Sequence, residues 1–73
     1  MYISIRTSLQ YKDGSVHIKI EAEDTENFNV YESIKDRLYL ITKKYEKCGY
    51  KVLSCSYRKI DFDEYEELCG NGF

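Results

Sequence analysis

Apolar and polar positions alternate through the first third of the chain. Ile3, Ile5, Thr7, Leu9 and Tyr11 share one parity, and Val16, Ile18, Ile20 and Ala22 share the other. A period of two is the mark of a strand with one buried face. Asp13-Gly14 lies between the two runs, and Asp-Gly suits a two-residue hairpin turn that needs positive φ at both positions. Such a turn sets Tyr11 opposite Val16, Leu9 opposite Ile18, Thr7 opposite Ile20 and Ile5 opposite Ala22, all on one face. The other face then pairs Gln10 with His17, Ser8 with Lys19, Arg6 with Glu21 and Ser4 with Glu23. The pattern predicts a hairpin over residues 2–23, followed by a polar connection.

The period then changes. Val30, Ile34, Leu38, Ile41, Tyr45 and Cys48 recur at steps of three and four, the stripe of an amphipathic helix. Asn29 with Glu32 three residues on forms a capping pattern, and Gly49 suits the position just past the helix end. These signals predict a helix over 30–48. YKVLSCSY predicts a strand over 50–58, with Leu53, Cys55 and Tyr57 facing in and Val52 and the serines facing out. Asp61 and Glu64 repeat the capping pattern, and Gly70 ends a short acidic helix over 62–69 with Phe62, Tyr65 and Cys69 along its apolar side. The order is ββαβα, an α+β domain. A three-stranded sheet of this size needs a cover, and the long helix supplies it on one face. With the third strand beside the first, the strand order is 2-1-3 and every pair is antiparallel; beside the second, that pair would be parallel. We take the former.

Seventy-three residues make a single domain with a small core. No apolar run approaches the ~20 residues of a membrane span, and the alternating N-terminus lacks the unbroken apolar stretch of a signal peptide. The expectation is a cytoplasmic protein, in a host cell's cytoplasm if a phage encodes it. Three cysteines, Cys48, Cys55 and Cys69, are an odd count and favour reduced thiols. With His17 they make four metal-ligand types, but none has the close paired spacing of a zinc knuckle or ribbon, so no metal is expected. No glycine-rich phosphate loop is present. The pattern sets no serine or cysteine beside His17 as a nucleophile–base pair. A one-layer sheet under one helix also offers little depth for a pocket. The reading is of a protein that is not an enzyme and carries no cofactor.

Charge is segregated. The chain carries −2 overall, yet residues 61–67 alone hold five carboxylates. Residues 33–60 carry eight bases against Asp36 and Glu46. The helix dipole accounts for Asp61, Asp63 and Glu64 near a helix start, but Glu66 and Glu67 lie beyond its reach. Leu40 projects away from the helix stripe with Tyr39 on its flank. Two readings follow. Either the terminal helix folds back over Leu40 and sets its acids against the lysines, or an open surface of Asp61, Asp63, Glu64, Tyr65, Glu66, Glu67, Tyr39 and Leu40 meets a partner. The second makes the chain a small non-catalytic binder, of the kind a phage or mobile element would use as an inhibitor of a basic, nucleic-acid-handling protein. An alternative is weak nucleic-acid binding through the open sheet face with Tyr2, Arg6, His17, Lys19 and Arg58, extended by the lysines at the helix end. Against it stand Glu21 and Glu23 on that face and an acidic balance. A third reading is a homodimer joined at the free edge of the second or third strand.

Overall fold

The computed structural model describes residues 1–28 and 33–70. Strand β1 (Tyr2–Gln10) is central, between β2 (Val16–Asp24) and β3 (Lys51–Ile60). Both pairings are antiparallel, so the order β2-β1-β3 is the one expected. Helix α1 (Ile34–Lys47) covers one face and α2 (Phe62–Gly70) follows β3 directly. A short 3-10 turn at Thr25–Asn27 leaves β2, with the Asp24 side chain accepting from the Glu26 N–H.

The hairpin register differs from expectation by one residue. Leu9 lies opposite His17, Thr7 opposite Lys19 and Arg6 opposite Ile20. The cause is the turn. Tyr11 and Ser15 close it, with Tyr11 N–H donating to the Ser15 carbonyl and Gly14 N–H to the Tyr11 carbonyl. The loop is therefore Lys12-Asp13-Gly14, and only Gly14 has positive φ, at +89°. This is the three-residue hairpin loop, a tight turn followed by one left-handed glycine. Asp13 takes an ordinary φ and uses its carboxylate to accept from the Ser15 N–H at 2.9 Å and the Ser15 hydroxyl at 2.6 Å.

One extra loop residue moves every β2 side chain to the opposite face. Ile3, Ile5, Thr7 and Leu9 are buried under α1 as expected, but they share that face with His17, Lys19, Glu21 and Glu23. Val16, Ile18, Ile20 and Ala22 stand on the other face with Ser4, Arg6 and Ser8. The sheet is apolar in part on both sides. The core under α1 is Ile3, Ile5 and Ile41, packed by Phe28, Ile34, Leu38, Tyr45 and Cys55. The acids of β2 rise along the flank of α1, where Glu23 holds Arg37 at 2.8 Å and Glu21 holds Lys44 at 3.3 Å. Burial, then the charge of Glu21, raises the pKa of the Tyr45 hydroxyl.

Helix α1 starts at Ile34, not at residue 30. Ser33 is its cap, with extended backbone, and it forms a reciprocal capping box with Asp36. The expected cap Asn29, its partner Glu32 and stripe member Val30 lie outside the described residues. The C-terminal end matches expectation. Gly49 has φ +93°, its N–H donates to Glu46 and the Tyr50 N–H donates to Tyr45, a Schellman closure. Cys48, expected in the stripe, is exposed at this cap.

Strand β3 runs longer than expected and carries an irregularity. The register shifts opposite Ser8 and Leu9, so Val52 rather than Leu53 is aligned with Leu9. Val52 is half-buried, while Leu53 and Tyr57 are largely exposed. Of the three residues expected to face in, only Cys55 packs on the core, its thiol 3.6 Å from the Thr7 hydroxyl.

Candidate binding surface on the terminal helix

A single residue, Asp61, joins β3 to α2, and it caps the helix. Its carboxylate accepts from the Glu64 N–H at 2.8 Å and its carbonyl from the Tyr65 N–H at 3.0 Å. The short link turns α2 onto the sheet face opposite α1. There Tyr2 lies 5.5 Å from the Phe62 ring and 4.5 Å from the Tyr65 ring. Glu64 reaches back to Arg58 at 2.6 Å. That hydrogen bond and charge hold the Arg58 guanidinium above its ordinary pKa. Between helix and sheet runs a groove of about 360 Å³ lined by Ser4, Arg6, Ile20, Ser56, Arg58 and Leu68.

The eight residues read as a partner surface do not form one face. Tyr39 and Leu40 are exposed, but on α1, across the sheet from the acidic helix. The intramolecular reading, with Phe62 or Tyr65 over Leu40, fails for the same reason, since those rings pack on Tyr2. Within the acidic segment the carboxylates divide by task. Asp61 caps and Glu64 ties the helix to β3. Tyr65 is half-buried against Tyr2, and a hydrogen bond with Cys69, then the charge of that thiol, raises its pKa. Asp63, Glu66 and Glu67 remain exposed around a shallow depression, with no ion pair among the described residues. Spaced three and four apart, they share one helix face.

The residues of the nucleic-acid reading are also divided. Tyr2, Arg6 and Arg58 stand on the α2 face, but the register carries His17 and Lys19 to the α1 face, along with Glu21 and Glu23. Tyr2 is packed against rings of the terminal helix, and Arg58 is held by Glu64.

His17 corrects another expectation. Ser15 does lie beside it, with Oγ 3.0 Å from the imidazole Nε2. The two residues share a parity just past the turn, a proximity that the spacing itself carried. The arrangement is not a nucleophile–base–acid relay, because Asp13 accepts from Ser15 and does not orient the imidazole. The Ser15 bond lowers the Asp13 pKa, and Tyr11 stacks on His17 at 4.1 Å. The trio fastens the turn. Among the described residues, no three His, Cys, Asp or Glu side chains gather where they could hold a metal ion, and no helix is long and apolar enough to cross a membrane.

Compared with protein-family models, with curated proteins and with solved structures, the chain matches none.

Proposed function

We propose that this chain is a non-catalytic protein-binding module that meets a basic partner with the outer side of α2. The observation that carries this reading is the division of the carboxylates. Two serve the fold, while Asp63, Glu66 and Glu67 are left together in solvent on a helix anchored by three aromatic rings. Unpaired like charges on one anchored helix face draw in a positively charged surface and orient it at encounter. The partner class that fits best is a protein whose basic surface handles nucleic acid, with this chain as its inhibitor. Such a small acidic binder suits a phage or mobile element.

The test is a serine triple variant at Asp63, Glu66 and Glu67. Wild type captures its partner from cells of the source, and mass spectrometry identifies it. Association of the purified pair should be at least about tenfold slower for the variant at low salt, with the difference shrinking as salt screens the charges. Equal association rates for both chains would refute the acidic-surface reading.

A further inference from the structure

The edge of β2 has a charge order that makes it complementary to itself. Across the strand, Thr25 N–H donates to the Met1 carbonyl and Tyr11 N–H to the Ser15 carbonyl. The pairing between these bonds is unbroken, so the odd-numbered residues of β2 direct their backbone groups to β1. Val16, Ile18, Ile20 and Ala22 therefore direct theirs outward, along an edge with no strand beside it among the described residues. Their side chains stand on the α2 face, and Val16, Ile18 and Ile20 are 55%, 44% and 56% exposed. Edge strands are ordinarily guarded by proline, lysine or a bulge. The chain has no proline, β2 pairs without a bulge, and its only lysine is Lys19. The other edge is guarded: β3 carries Lys51, Arg58, Lys59 and the register shift.

We propose that a second copy of this chain pairs antiparallel along β2, about a two-fold axis at Ile20, to form one six-stranded sheet. Outward backbone groups allow the axis only at an even residue if the central pair is to exchange hydrogen bonds. Among these, charge selects Ile20. There Lys19 faces the second copy's Glu21, a contact that occurs twice, while His17 faces its Glu23, whose two oxygens already accept from Arg37. On the other side of the sheet Ile20 meets Ile20 and Ile18 meets Ala22. An axis at Ala22 sets Glu21 against Glu23. An axis at Ile18 sets Lys19 against His17 and leaves Glu21 opposite Ser15. A β3 pairing about Cys55 would set Lys51 against Lys59. Lys19 has no ion pair among the described residues. Glu21 meets Lys44 and Tyr45 through Oε1, which leaves Oε2 to accept from the incoming lysine. Helix α1 packs nearest β3, and only its Arg37, Lys44 and Tyr45 side chains reach the β2 acids.

The contact is one strand wide, smaller than the ~1,200 Å² of a standard stable interface, so the dimer is reversible. In sedimentation equilibrium from about 10 µM to about 500 µM, the average mass should rise from the 8.7 kDa of one chain towards twice that. Ile20→Lys places two cations on the axis at an exposed position and should keep the chain monomeric throughout. Lys19→Glu and Glu21→Lys should each raise the dissociation constant about tenfold, and the two together should restore it. Amide exchange at Ile18 and Ile20 should slow with protein concentration while circular dichroism confirms that every variant is folded. A wild-type mass that stays at one chain up to the highest concentration overturns the proposal, even if the edge then captures a foreign strand. So does a dimer indifferent to Ile20→Lys, or a double variant no better than the singles.

Discussion

Gly14 sits in open space, since a Cβ built on it would meet nothing within 4 Å. Any cost of replacing it is therefore backbone strain at φ +89°. Gly14→Ala should lower stability by about 1–2 kcal/mol, read from the urea midpoint, while Gly14→Asn should lose less. A second prediction concerns pH. Hydrogen bonds from the Ser33 backbone and then its side chain hold Asp36 below its ordinary 3.8. A carboxylate with a depressed folded pKa contributes its stability above the unfolded value and loses it as pH falls through the folded one. Wild type should therefore weaken progressively below about pH 4. In urea melts from neutral to acid pH, Asp36→Asn should flatten that part of the decline. Ser33→Ala should cost about 1 kcal/mol at neutral pH. The two ends of the box lie three residues apart, yet Asn29–Glu32 offered the same pattern four residues earlier. Two equivalent local signals compete there, and spacing alone does not rank them.

Element types were legible because each rests on local chemistry: the change of period at the long helix, Gly49 past its end, Asp61 before the last helix. The strand order was a choice between two arrangements that no local signal decided. The hairpin register was not. Asp-Gly ends a three-residue loop as readily as it fills a two-residue one, and the parity argument assumed a sheet with one apolar face. The position of α2 was hidden for the same reason, because a helix with one linking residue goes to whichever face offers apolar surface, and the register decides which face does. Of the carboxylates, the capping role of Asp61 was legible from spacing, whereas the Glu64–Arg58 tie needed α2's position. If α2 is a cover, a chain ending at Ile60 should uncover Tyr2 and melt several degrees lower. Phe62→Ala should lower Tm by about 5 °C, the shift that ~1 kcal/mol produces in a domain of this size. Leu40→Ser, on the far face, should leave Tm almost unchanged.

Among the described residues, the core under α1 buries Ile3, Ile5 and Ile41, with Leu9 buried near the turn. Domains this small keep a few kcal/mol of net stability, so one core truncation removes a large share of it. Ile41→Ala should cost about 3 kcal/mol and leave a chain that is partly unfolded at 37 °C by circular dichroism. Each copy carries its acidic helix on the sheet face away from α1. A two-fold axis perpendicular to the sheet preserves faces, so a pair of copies would turn both acidic helices towards the same side. That changes the valency of the molecule. A partner with one basic patch would gain nothing from the pairing, but a partner with repeated patches would be held at two points, the second contact made at the high effective concentration of a tethered site.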